Sequence, residues 1–352
     1  MGNSDIKFSD GVRHLYIPLL NSISSFKDKG LRFWLETSEN YITLSNASNK
    51  FFEIAYYDIK EVLEYLASDI NRLSCASLET VNNICESRSN RKFLAWNLIN
   101  YYYSAFYSAH SILKTLGFGL IQINDRITSR IERRAAAYGQ TMPHIENGMY
   151  CFDFSKRGTI IFYRVSRYNE NHKGLWLRFI DLLNVLSGIS VVTGSFDSNC
   201  IAAWNSSVNH PLSFFSNMTF DDALNIVDKV DGLKKILNKN GDYNWLSSVR
   251  NILNYNHGFG VWFPYNSYSD DYERIISFHE LCFANPMDTD FENNNDIDLI
   301  VFVKTCQQIN AINIDILKDL VDRHPNNKSF LRNGFFAYDR MYRNRARTSN
   351  VS

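Results

Sequence analysis

Proline and glycine are scarce in this 352-residue sequence, at 6 and 16 residues, so few positions force a break in regular structure. Net charge is lacking too. Thirty-seven Lys and Arg stand against 37 Asp and Glu, which excludes a globally cationic nucleic-acid binder while leaving room for a local basic face. No Cys-x-x-Cys occurs, and Cys75, Cys85, Cys151, Cys200, Cys282 and Cys306 are dispersed without clustered histidines. That pattern argues against a zinc site or a disulfide framework and for reduced thiols in a cytosolic protein. No apolar run approaches the roughly 18–20 residues of a membrane span, since Leu182 to Val192 is interrupted by Asn184, Ser187 and Gly188. The N-terminal MGNSDIKFSDG has no apolar segment of a signal peptide and no Ser or Thr where a myristoylation motif places one. A cytoplasmic protein without a membrane partner is expected. Phosphate-binding loops, dinucleotide fingerprints, zincin helices and nucleophile elbows are absent, so neither a cofactor nor a metal is expected.

Large side chains are plentiful: aromatics reach 14%, with 25 Phe and 20 Tyr, and apolar residues 45%. Few breakers and many bulky residues predict a mainly α-helical fold. Residues 1–55 read as a small β-containing region, with Leu31 to Leu44 as two short strands joined by a Ser-Glu-Asn turn. Helical periodicity begins at Tyr57 and runs to Cys85, with a break expected near Ser74–Ser77. Arg88 to Leu116 repeats Phe93, Trp96, Asn97, Asn100, Tyr103, Phe106, Tyr107, His110 and Leu113 at threes and fours, closed by Gly117. Apolar nearly all round, it belongs in the middle of a bundle. Residues 56–118 are thus the first helices of that bundle.

Residues 119–215 read as an α+β insertion. Arg126, Arg130 and Arg134, with Arg133 beside them, make a basic stripe on a helix. Met149 to Tyr168 alternates around Ser155-Lys156-Arg157-Gly158 as a hairpin does, and a helix follows from Leu175 to Leu186. Between 121 and 180, ten Lys or Arg face five Asp or Glu. Helices resume at 219–238, with Thr219 as N-cap, at Asn244 to His257, at Asp270 to Phe283 and at Asp296 to Arg323, completing the bundle over 216–325. The acids Asp288, Asp290, Glu292, Asp296 and Asp298 mark a solvated loop. Residues 326–352, with Arg340, Arg343, Arg345 and Arg347, read as a basic, frayed tail.

One stretch carries a pattern suited to chemistry: Trp245-Leu-Ser-Ser-Val-Arg250-Asn251-Ile-Leu-Asn254-Tyr255-Asn256-His257-Gly258. Seven residues turn a helix by about 700°, so Arg250 and His257 are expected on one face about 10.5 Å apart, with Asn254 between them. A cation, an amide and an imidazole in a row on an apolar helix either find partners or line a site. Two other pairs share the spacing. Arg167 and His172 sit in a polar loop that fixes no geometry, and Arg274 and His279 turn about 140° apart on a helix.

Arg250, the polar Asn251 and His257 with six intervening residues resemble the R-x(4–6)-H signature of HEPN-domain ribonucleases. The helix Asn97-x-x-Asn100-Tyr101-Tyr102-Tyr103-Ser-Ala-Phe106-Tyr107-Ser-Ala-His110 is similar to the Tyr-Tyr-x-Ala-Phe helix of that superfamily. With the expected helices that carry them, the two segments cover about 50 residues. The resemblance implies a HEPN-like helical bundle that dimerises, bringing two motifs to a shared cleft. It also implies metal-independent endoribonuclease activity leaving a 2′,3′-cyclic phosphate. A toxin or antiviral defence effector, with an inhibitory or sensing protein partner, is the role it suggests.

The chemistry fits those residue types. An imidazole exchanges protons near neutral pH, and a ribose 2′-hydroxyl must lose one to attack phosphorus. A guanidinium can hold two oxygens of the phosphorane. Asn251 or Asn254 would orient the phosphate or the imidazole, and His110 reaches the same cleft unless it is a core histidine. Arg126, Arg130, Arg133, Arg134, Lys156, Arg157, Arg164 and Arg167 are candidates to hold an RNA backbone, with Tyr163 and Tyr168 for base stacking, or else form a solvated face. A second function class stays open: a non-catalytic dimerisation or interaction protein whose basic insertion binds a partner.

Overall fold

The computed structural model describes residues 6–44, 47–87, 94–156, 158–165, 171–194, 220–262, 272–288, 298–324 and 328–341. The chain is mainly helical with one small antiparallel sheet, and it divides into two compact units. Among the described residues no helix is long and apolar enough to cross a membrane.

Residues 15–75, 113–175 and 320–352 make the sheet unit. Its strands are β1 (Tyr41–Thr43), β2 (Phe51–Tyr56), β3 (Phe118–Ile123), β4 (Gly148–Asp153) and β5 (Thr159–Arg164), all antiparallel in the order β1-β2-β5-β4-β3. Alternation sets the register, as a period of two must. Phe52 and Ile54 of β2, Tyr150 and Phe152 of β4, and Ile160 and Phe162 of β5 are buried, and Phe52 stacks on Phe162 at 4.7 Å. The hairpin around Ser155–Gly158 is as expected, but the grouping differs. Strands from residues 41–56 and from 118–164 form one sheet, so the strands of the N-terminal region and of the 119–215 segment fold together.

Leu31 to Leu44 also departs from expectation. Leu31–Thr37 is a helix, α2, and only Tyr41–Thr43 is a strand. Leu31, Phe33 and Leu35 alternate in sequence, but the buried set is Leu31, Trp34 and Leu35, spaced three and four apart. The Asp69 carboxylate accepts from the Leu31 N–H at 3.2 Å, satisfying a first-turn donor from a residue 38 positions away.

Two further expectations fail because polar groups find partners that the local sequence does not show. Ile59–Glu86 is one continuous 28-residue helix, α3. Ser74 bonds back to the Ile70 carbonyl at 2.7 Å, and Ser77 meets the Ser108 hydroxyl at 2.8 Å, so these serines are satisfied inside a helix rather than breaking it. Nor are residues 328–341 a frayed tail. The Phe330 N–H bonds the Ile23 carbonyl, Ser329 caps Leu331, the Asn71 carboxamide grips Phe330 and Phe335, and Phe330, Leu331 and Phe335 are buried. Arg343, Arg345 and Arg347 lie outside the described residues, as do Asp290, Glu292, Asp296, Thr219, Phe93 and Cys200.

Residues 1–14, 76–112 and 176–319 make the helical unit. Its chief elements are α1 (Phe8–Val12), the C-terminal part of α3, most of α4 (Leu94–Thr115) and most of α6 (Asn171–Gly194), with α5 (Asp125–Ala137) belonging to the sheet unit. Next come α7 (Phe220–Leu237), α8 (Trp245–Tyr255), α9 (Tyr272–Ser277) and most of α10 (Asp298–Asp322). Tyr101, Tyr102, Trp176, Phe179 and Phe302 are fully buried in it. Asn310 donates to Ser104 and accepts from Ser77, a buried polar seam between helices.

Within the sheet unit, Asp69 is the electrostatic junction. Its carboxylate accepts from Lys114 at 2.7 Å and from Arg72 at 2.7 Å as well as from Leu31. Burial pushes its pKa up, but the Lys114 and Arg72 charges and the hydrogen bonds outweigh that and hold it below the ordinary carboxylate value. A depressed folded-state pKa gives stability that is complete above about pH 4 and fades as pH falls through the folded value. Asp69→Asn is therefore expected to cost about 3 kcal/mol at pH 7 in urea unfolding, with the gap from wild type narrowing as pH falls below the ordinary carboxylate range. A gap independent of pH would contradict this assignment.

Candidate functional site

Arg250 lies on α8, where Leu246, Val249 and Leu253 bury one stripe. It is itself only 6% exposed. Its guanidinium carbon sits 5.4 Å from the Tyr102 ring centre, 5.7 Å from that of Tyr103 and 5.9 Å from that of Tyr255, and its Nη1 donates to Asn251 Oδ1 at 2.7 Å. Burial pushes the Tyr102 phenol up to about 12, against the hydrogen bonds of Trp176 and Ser247 and the Arg250 charge. Tyr102 thus stays neutral at physiological pH and meets the cation through its ring. The two segments singled out in the sequence, around Tyr102 and around Arg250, therefore pack against each other. Trp96 and Trp262 join them a second time, edge to face at 5.6 Å.

His257 is not where helical geometry would put it. The last residue of α8 is Tyr255, Asn256 caps it, and His257 is left-handed at φ 50 and ψ 33. Counting seven residues of helix from Arg250 consequently does not apply, and the shared helical face is corrected. The chain turns because Gly258 comes so close to Ile252 that a Cβ would lie 2.3 Å from its Cγ2, and because Phe259 and Gly260 are left-handed as well. The Trp262 indole N–H then donates to the Leu253 carbonyl at 2.8 Å, satisfying an oxygen of the last turn. His257 is exposed, and its ring lies 5.2 Å from that of Trp262.

Asn251 and Tyr255 are exposed, Tyr255 at 69%, and Asn254 is half-buried. His110 is buried on α4 with its ring edge-on to Phe106 at 4.8 Å, as a core histidine is. Trp96, 52% exposed on α4, and the Trp262 contact were not singled out as site features from sequence, because an aromatic on a nearly all-apolar helix reads as core. Among the described residues no group of His, Cys, Asp and Glu is arranged to hold a metal ion.

The expected basic surface is largely neutralised in space. Arg126 pairs with Glu36, Arg130 with Glu39, Lys156 with Glu53 and Arg164 with Glu146. Arg134 donates to the carbonyls of Glu39 and Tyr41 and lies over the Tyr41 ring, while Arg133 bonds back to the Ser129 carbonyl. Counting charges between 121 and 180 misses Glu36, Glu39 and Glu53, which the fold brings to these cations. Arg130 and Arg134 thus pin the segment around β1 rather than presenting a phosphate track. Arg157, Arg167 and Tyr168 lie outside the described residues, as does the His279 side chain.

No protein-family model, curated protein or solved structure matches the chain.

A left-handed histidine carries a backbone penalty that glycine avoids, about 1 kcal/mol. His257→Gly should therefore be about 1 kcal/mol more stable than His257→Ala in urea unfolding. Equal stabilities would show that residue 257 is not left-handed.

Proposed function

We propose that the chain is a HEPN-like endoribonuclease acting as a homodimer in the cytoplasm. In this reading His257 exchanges the proton of the ribose 2′-hydroxyl, and Arg250 supplies positive charge beneath the surface. The observation that carries it is the convergence of the two HEPN-resembling segments, at the Arg250–tyrosine box and again where the exposed His257 imidazole lies against Trp262, which meets Trp96 of α4. An exposed imidazole is the side chain whose ordinary pKa suits acid–base work near neutrality. Asn251, hydrogen-bonded to the guanidinium, is the nearest amide to orient a phosphate. Arg250 meets a phosphoryl oxygen only if the groups covering it move, and Tyr255 is the most exposed of its three rings. A toxin or antiviral effector held in check by a protein partner is the role that accompanies this activity.

One observation favours a second reading, a non-catalytic interaction protein. Arg250 is buried, and residues 94–112 and 244–262 hold no other Asp, Glu, Lys or Arg. Trp96 and Tyr255 stand exposed in those segments, and such uncharged, aromatic-rich surface has the composition of a protein interface centre.

End-labelled RNA incubated with the purified protein in EDTA separates the two. The ribonuclease reading predicts fragments ending in 2′,3′-cyclic phosphate and a loss of at least about 100-fold in His257→Ala and Arg250→Ala. Absent cleavage, or equal cleavage by wild type and His257→Ala, overturns it. The interaction reading then predicts a dimer in sedimentation analysis that Trp96→Ala and Tyr255→Ala weaken at least about tenfold.

A further inference from the structure

His257 adopts a backbone conformation that non-glycine residues rarely hold, and such positions persist only where neighbours over-determine them. Trp262 is such a neighbour. Its indole N–H is tied to the Leu253 carbonyl at 2.8 Å, in the last turn of α8. Trp96 of α4 meets its ring edge-on at 5.6 Å, and its ring in turn lies 5.2 Å from the His257 imidazole at a 35° tilt. The indole is therefore anchored from two helices and touches the imidazole. An exposed imidazole with no such contact samples its rotamers freely, whereas a proton-transfer group must stay within hydrogen-bond reach of the proton it moves.

We infer that Trp262 is a positioning residue that holds the His257 imidazole and the left-handed turn beneath it in one orientation at the end of α8. This rests on the ribonuclease reading for its consequence, but the physical claim concerns His257 alone. Trp262 touches no reacting atom in it. The anchor is the N–H bond to Leu253, and the ring is the surface against which the imidazole rests. Trp96 limits how far the indole can tilt, so α4 and α8 jointly set the imidazole direction.

The test compares wild type with Trp262→Phe, which keeps a ring and loses the N–H, and with Trp262→Ala, which loses both. Carbon-13 relaxation is read at His257 Cε1, its signal assigned by its disappearance in His257→Gln. A restrained imidazole is expected in wild type, an intermediate one in Trp262→Phe and a freely reorienting one in Trp262→Ala. Trp262→Phe carries the test by itself should Trp262→Ala unfold. Identical relaxation in wild type and Trp262→Phe overturns the positioning role, whatever happens to RNA. Should the wild type cleave RNA, Trp262→Phe is expected to lower kcat between about 10- and 100-fold with KM little changed, and an unchanged kcat also overturns the role. Loosened His257 in a protein that cleaves no RNA leaves the positioning claim standing and counts against the ribonuclease reading alone.

Discussion

A guanidinium enclosed by aromatic rings is the interaction on which the candidate site depends. Removing a cation from water is expensive, and it is tolerated only when the surroundings return comparable interaction. Around Arg250 that return comes from the faces of Tyr102, Tyr103 and Tyr255 and from the Asn251 amide. Tyr102 and Tyr103 belong to α4, and Tyr255 closes α8, so one side chain ties together stretches about 150 residues apart in sequence. A phenol is neutral at physiological pH and burial pushes that of Tyr102 further up, so the contact is a cation–π one and not an ion pair. It is accordingly less sensitive to salt than a surface bridge.

The surface next to this box follows from how α8 ends. A glycine pressed onto Ile252, a left-handed His257 and an indole capping the Leu253 carbonyl turn the chain sharply within a few residues. His257, Tyr255 and Asn251 are exposed, whereas the Arg250 cation is buried. In the sheet unit the electrostatics run the other way. Among the described residues, Arg126, Arg130 and Lys156, which look free along the sequence, are paired with carboxylates brought in from residues 36–53, and Arg134 is held by the Tyr41 carbonyl.

Much of the fold was legible because local pattern and tertiary burial agree. The aromatic repeat of α4, the hairpin of β4 and β5, and the helices near 220–237 and 245–255 follow the expected periodicities. The misreadings share a cause: a distant residue decides. Asp69 caps α2 from 38 positions away, Ser108 satisfies Ser77 inside α3, and Asn71 orders the C-terminal segment through Phe330 and Phe335. No window of neighbouring residues contains those partners. The site was half legible. Arg250, Asn251 and His257 stood out as residue types, but their helical spacing gave the wrong geometry because the helix stops two residues before His257. The roles of Trp96 and Trp262 were hidden, since exposure on an apolar helix is set by its neighbours and not by its own sequence.

The central claim is that Arg250 and the α4 tyrosines stabilise each other, and a double-mutant cycle measures that directly. Arg250→Met, Tyr102→Leu and the double variant, compared in urea unfolding, should yield a coupling free energy of about 2 kcal/mol, as expected for a desolvated cation on an aromatic face. Additive losses, with coupling indistinguishable from zero, would contradict the account.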